Sequence, residues 1–300
     1  MKKLLYQFDT DALPSVFDNV VGHDGGADCV AAYGGVNARN VGGLVEGAIF
    51  TRGAKDKKNT ALFVGGGNLI EGEAVLAAVR KKFFGKFRVS VMFDCNGCNT
   101  TAAAAVAWLA HRRSLAGKRA VVLGGSGPVG QRAAVLLARE GAQVTITGRK
   151  LDVVQAACDA IHTRFGIMVR AAEAPTNRER AAAIEGAHIV LATGAAGITL
   201  LEESQWQESR TLEMLADANA SPPAGIEGVG PGDCGATKHG KILFGSLGFG
   251  ALKLALHRAC IARLFEQNDA LLDAEEIYVI AKAMVPDGRG AITPRASPTS

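Results

Sequence analysis

Three glycines and two cations carry the most specific chemistry in this chain. Gly125, Gly127 and Gly130 stand in GSGPVG with GxGxxG spacing, after the apolar run RAVVL and before the helix-patterned QRAAVLLARE. That spacing lets a strand turn sharply into a helix, brings backbone N–H groups against a pyrophosphate, and lets helix and strand pack closely. With Ser126, Pro128 and Val129 completing the turn, a dinucleotide phosphate is expected on the helix N-terminus. About twenty residues past such a turn, an NAD site keeps a carboxylate for the ribose 2′-hydroxyl. Here that place is held by Arg149 and Lys150. A guanidinium and an ammonium suit a 2′-phosphate dianion and offer a free hydroxyl no acceptor, so NADP is expected rather than NAD. Farther along, LATGAAG supplies Thr193 and Gly194, and DANASPP supplies Ala218 and Asn219, where a Rossmann chain passes the nicotinamide ribose.

A second polar set precedes this unit. Asp9 and Asp11 close the first strand-like run in FDTD, Asp94 follows FRVSVMF, and Asn99 and Thr101 open the alanine-rich NTTAAAAVAWLAHRRS. Ligands of α/β sheets gather at the carboxyl ends of strands, so the three aspartates are expected to share a crevice as acceptors, or else to serve as turn and cap residues. Asn99 and Thr101 cap their helix or reach the same ligand. Lys253 stands in a mostly apolar stretch, where it is either a site ammonium with an anionic or carbonyl partner or a helix-surface lysine. Cys95 and Cys98 have CxxC spacing, but no second pair completes a zinc site, and no metal or redox role is assigned to them. The absence of GxSxG and GxxxxGK[ST] argues against a serine hydrolase and a P-loop NTPase.

The elements that must position these groups alternate along the chain. KKLLYQF, TALFVGG, FRVSVMF, RAVVL, QVTIT, HIVLAT, TLEMLA and KILFG read as strands with helical stretches between them. Such alternation predicts an α/β protein with parallel sheets covered by helices, here as two domains with a cleft between them. A boundary at the AGK exit divides residues 1–113, the substrate unit, from 114–249, the dinucleotide unit. Two helices within 250–285 are expected to return to the first unit and close the cleft. The polar, proline-punctuated 286–300 reads as a disordered tail.

With 300 residues and 48% hydrophobic content, the chain can bury a real core. Its 33 basic and 29 acidic residues are interspersed, which gives no footprint for nucleic acid or a membrane surface. No apolar segment has the length of a signal core or a span, and the six cysteines are scattered as free thiols, so a cytoplasmic location is expected. For a net charge of +4 a small anionic molecule suffices as the expected partner, and helices outside the sheets leave room for a homo-oligomer.

Beyond these units, KKLLYQFDTDALPSVFD, YGGVNARNVGGLVEGAIFTRG, DCNGCNTTAAAAVA, VVLGGSGPVG, GRKLD, DANASPP and LHRACIARLFE together resemble the NADP-dependent methylenetetrahydromethanopterin dehydrogenases of methylotrophic bacteria. The likeness runs from about residue 2 to Met284. It implies reversible oxidation of 5,10-methylene-tetrahydromethanopterin to the methenyl form, in one-carbon metabolism, and some relatives also accept methylene-tetrahydrofolate. Loss of hydride from a carbon flanked by two nitrogens leaves a cation that the substrate delocalises itself, so the protein's work is positioning. Asp9, Asp11 and Asp94 are then candidate acceptors for the pterin's aminopyrimidine edge, and Lys253 is a partner for a pterin carbonyl or an aspartate. Two departures stand out: Cys95 and Cys98 occupy places expected to hold small hydroxyl residues, and Ala255 stands where a further lysine is expected. Rival readings are a dehydrogenase of this architecture with a folate-only or shikimate-like substrate, and a non-catalytic NADP-sensing subunit.

Overall fold

The computed structural model describes residues 1–285, and the tail read as disordered lies outside them. The chain first builds β1 (Leu4–Asp9), α1 (Val16–Asp24), β2 (Cys29–Tyr33), α2 (Val41–Phe50), β3 (Thr60–Gly65), α3 (Leu69–Lys82), β4 (Ser90–Phe93) and α4 (Cys98–Arg112). It then builds β5 (Arg119–Leu123), α5 (Pro128–Arg139), β6 (Gln143–Gly148), α6 (Leu151–Phe165), β7 (Arg170–Glu173), α7 (Asn177–Ala183), β8 (Ile189–Ala192) and β9 (Met214–Asp217). A hairpin of β10 (Cys234–Lys238) and β11 (Lys241–Phe244) follows, then α8 (Ser246–Arg263), β12 (Leu271–Leu272) and α9 (Ala274–Met284).

These strands form two sheets. The first has order β12-β4-β3-β1-β2 with every pairing parallel; the second has order β10-β11-β9-β8-β5-β6-β7, parallel except for the β10–β11 hairpin. In β3, β4, β8 and β9 every residue is buried, which is why they read as continuous apolar runs rather than alternating ones. Four strands escape the sequence pattern. β2, β7 and β10 are sheet edges with exposed or half-buried residues, and β12 is two residues long. Through β12, paired in parallel with β4, the end of the chain rejoins the first sheet.

Helix α4 joins the halves. It leaves the first sheet after β4 and packs on α5, α8 and α9, and the run Ala102 to Ala107 is buried throughout. Methyl side chains allow the close helix approach that bulkier residues would block. No helix among the described residues is long and apolar enough to cross a membrane.

Candidate active site between the two sheets

Both sheets reverse their winding at an inner strand pair, and a cavity opens at each reversal. In the second sheet the reversal lies between β5 and β8, where loops leave the carboxyl ends of the strands in opposite directions. The cavity there, about 790 Å³, is lined by Ser126, Gly127, Pro128 and Val129 after β5, Arg149 after β6, Thr193 and Gly194 after β8, and Ala218 and Asn219 after β9. Pro128 is the first helical residue of α5, with Gly127 as N-cap, so the helix starts where an anion needs it to start.

The glycines divide their work differently from the simple fingerprint reading. The left-handed turn is at Gly124, with φ +69°, not at Gly125. A Cβ on Gly125 would meet the Ile146 side chain at 2.7 Å and the Val122 carbonyl oxygen at 2.9 Å. On Gly130 it would lie 2.6 Å from Gly125 Cα, so that glycine seats α5 on its own turn. At Gly127 the nearest atom is 3.7 Å away, which leaves the backbone open toward the cavity for a phosphate. The cradle therefore fits a dinucleotide.

The two cations also separate. Arg149 lines the cavity, whereas Lys150 is the N-cap position of α6 and does not. A third cation, unmarked in the sequence, is Arg180 on α7. Its guanidinium donates to the carbonyls of Leu200 (2.6 Å) and Pro175 (2.8 Å) and to Asn177, bracing the cavity wall rather than offering free charge. Thr193 Oγ1 donates to the carbonyls of Leu123 and Gly124 at 3.1 and 3.3 Å, tying the β8 loop to the glycine turn.

In the first sheet the reversal lies between β1 and β3. A cavity of about 330 Å³ opens there, lined by Asp11, Ser15, Phe17 and Asp18 after β1, Gly66 and Gly67 after β3, Asn96 and Gly97 after β4, and Lys253 from α8. Only part of the expected polar set is present. Asp9 is fully buried, and its carboxylate accepts the N–H groups of Asp11 and Ser15, each at 2.9 Å. Asp94 accepts from the backbones of Asn99 (2.8 Å) and Thr100 (3.1 Å) and from the Thr100 hydroxyl at 2.6 Å. Asn99 donates to the Phe93 carbonyl and Asp273 and accepts from Arg132 Nε. These three are spent on the chain's own turns and line neither cavity. Asp11 does face the cavity, while one of its oxygens accepts the Gly67 N–H at 2.9 Å. Thr101 lines the larger cavity.

Asp18 is the carboxyl that sequence reasoning missed. SVFD places it at the third position of α1, where it reads as a partner of the Ser15 cap, and its backbone N–H does donate to that hydroxyl at 3.2 Å. Its pKa is pushed up to about 7, first by burial and then by repulsion from Asp94, with the Ser15 hydrogen bond and Lys253 pulling the other way. Lys253 Nζ lies 4.1 Å from the Phe17 ring centroid, a cation–π contact at the cavity edge. Ala255 is exposed and lines neither cavity, so the missing lysine falls on the outer face of α8. Below the site His257 is buried and stacked on Phe63 at 5.4 Å, and burial holds its pKa down at about 4. Cys95 and Cys98 are buried thiols whose pKa values burial raises, so neither is a thiolate. Among the described residues no group of His, Cys, Asp and Glu is arranged to hold a metal.

Residues 16–96, including Phe17, Asp18 and Asn96, match the family described as methylene-tetrahydromethanopterin dehydrogenase, N-terminal. The chain is 56% identical over 285 residues to the bifunctional protein MdtA of Methylorubrum extorquens, covering 94% of this chain and 99% of that one. It is 32% identical to the NAD(P)-dependent methylenetetrahydromethanopterin dehydrogenase of the same organism, covering 89% and 93%. The chain belongs to the methylenetetrahydromethanopterin dehydrogenase family. In fold it is similar to the quinate dehydrogenase of Corynebacterium glutamicum, at a TM-score of 0.53, 14% identity and coverage of 94% and 99%. The ligand-free 5-ketofructose reductase of Gluconobacter gives 0.51 at 17% identity. At such identities these two speak for the family's architecture alone.

Proposed function

We propose that this protein catalyses the reversible, NADP-dependent oxidation of 5,10-methylene-tetrahydromethanopterin to the methenyl form by direct hydride transfer, with methylene-tetrahydrofolate as a second substrate. The observation that carries the reading is the pairing of cavities: a glycine-turn cavity with Arg149, and a smaller carboxylate-lined one, which have Asn96 in common. Family membership supports the pterin as substrate, and Arg149 in place of a carboxylate supports NADP. In this reading residues 1–113 with 250–285 hold the pterin, and 114–249 hold the coenzyme, in the cytoplasm.

NADP, when bound, supplies the hydride acceptor. The residues from Gly124 to Gly130 would hold its pyrophosphate at the start of α5, and Arg149 would pair with the 2′-phosphate. Asp18 and Asp11 accept from the N–H donors of the aminopyrimidine edge. Lys253 stabilises the ionised form of Asp18 and offers donors to the pterin carbonyl, while Phe17 forms an aromatic wall. No side chain need act as nucleophile or base, because the cation left on the substrate is delocalised over two nitrogens. What remains for the chain is to hold the two reacting carbons aligned, for which hydride transfer generally needs an approach of roughly 3 to 3.5 Å.

The test is a set of initial rates with methylene-tetrahydromethanopterin and methylene-tetrahydrofolate, each with NADP and NAD. Turnover of the methanopterin substrate with NADP favoured is expected. Turnover of the folate alone, or of a shikimate-like acid, would reassign the substrate. Tight NADPH binding without turnover of any pterin would make the protein a coenzyme sensor.

A further inference from the structure

Asn96 is the residue that the two cavities share, and nothing in the fold accounts for its side chain. It lines both the dinucleotide cavity and the carboxylate cavity, and it is exposed although Cys95 and Cys98 around it are buried. Its backbone is held in the left-handed region, φ 53° and ψ 28°, one of two non-glycine residues so placed among those described. Its N–H donates to the Gly66 carbonyl at 2.8 Å, which pins the turn between the β3 and β4 loops. Its exposed side-chain amide has no hydrogen-bond partner among the described residues and is open to the cavities, and Gly97 next to it has the same handedness without a side chain. A turn of this shape is served better by glycine, since asparagine tolerates the left-handed region at some cost. Strain kept at a position that faces a cavity on both sides is an indication of function.

The larger cavity has a direction. Arg149, Ala174 and Pro175 mark the 2′-phosphate and adenosine end, and Ser126 to Val129 mark the pyrophosphate. Of the lining residues only Asn96 and Thr101 come from the first sheet's half, and Asn96 also lines the second cavity, so on the functional reading above the nicotinamide lies beside them. An amide carries an acceptor and two donors on one planar group. We propose that Asn96 is a contact residue for both ligands, its carbonyl accepting from the nicotinamide carboxamide and its NH₂ donating to the ring edge of the pterin. It thereby fixes the approach of the two reacting carbons. The assignment rests on the functional reading above.

Asn96→Gly separates this role from a structural one, because glycine keeps the left-handed turn and removes only the amide. The variant is expected to retain the parent Tm within about 2 °C and, with the carboxamide contact gone, to raise the NADP Kd measured without pterin by roughly two- to tenfold. Its kcat is expected to fall at least tenfold, with a larger primary deuterium isotope effect from methylene-labelled substrate. Asn96→Asp, which keeps the shape but loses both donors, should also fall at least tenfold. A glycine variant with parent NADP Kd, kcat, pterin KM and isotope effect would overturn the assignment and leave the functional reading intact. An unmodified protein that turns over no pterin would overturn both.

Discussion

Coenzyme choice reduces to the placement of one guanidinium. Arg149 lines the cavity and Lys150 opens α6 outside it, so the two cations that look equivalent in the sequence should not act equally. A hydrogen bond to a charged partner contributes about 1.5 to 3 kcal/mol. Arg149→Ala is therefore expected to raise the NADP Kd by roughly ten- to hundredfold with little change for NAD, while Lys150→Ala changes either by less than about threefold. Titration of both coenzymes against both variants decides it, and equal losses for the two coenzymes would remove Arg149 from the 2′-phosphate. Asp18 supplies a pH dependence. Because its pKa is raised to about 7, the carboxyl is largely neutral below that pH and gains full acceptor strength above it. Pterin kcat/KM should thus climb about tenfold per pH unit toward pH 7 and level off above it. In Asp18→Asn that arm should vanish, leaving a value at pH 8 at least tenfold below the parent. An unchanged profile in the variant would assign the titration to another group.

At the scale of elements, the dinucleotide cradle is a contact between a helix and the turn that starts it. Gly130 sits over the backbone of Gly125, and a methyl group there would overlap Gly125 Cα at 2.6 Å and its carbonyl oxygen at 2.8 Å. Backbone atoms cannot rotate aside as a side-chain end can, so α5 must lift from β5. We expect Gly130→Ala to cost about 1 to 3 kcal/mol in stability and to weaken NADP binding at least tenfold. Thermal unfolding together with coenzyme fluorescence checks both parts, and parent values for both would refute the contact.

Across the whole molecule, the halves are joined by a polar network as well as by the alanine face of α4. Arg132 on α5 is 1% exposed; it donates to Glu73 on α3 and, at 3.1 Å, to Asn99 on α4, and lies over the rings of Phe93 and Phe165. Arg164 on α6 pairs with the same Glu73 and with Asp273, which caps α9. Without Arg132, Glu73 keeps Arg164 and is part-exposed, so the main loss is the partner of the buried Asn99 side-chain carbonyl and the packing on Phe93 and Phe165, at a cost of about 1 to 3 kcal/mol. Arg132→Leu should lower stability by about that amount in urea unfolding, and a loss below about 1 kcal/mol would show the network to be dispensable.

The chain by itself determined what depends on neighbours in sequence. RAVVL, GSGPVG and the helix after them are one local unit, and strands buried on both faces announce themselves as apolar runs. The cations after β6 were legible for the same reason, since their distance from the glycine turn is a chain distance. Tertiary structure decided what depends on which loops meet. The edge strands β2, β7 and β10 bury little and so carry no apolar signal. Asp9 and Asp94, which in the sequence read equally as ligand acceptors or as turn and cap residues, each accept two backbone N–H groups that only the fold brings to them. Asp18 and Lys253 are 235 residues apart in the chain and share a cavity only because α8 returns to the first sheet. Burial and neighbouring charge, the two influences that raise Asp18 above the usual carboxylate range, are properties of the packed molecule and of no segment within it.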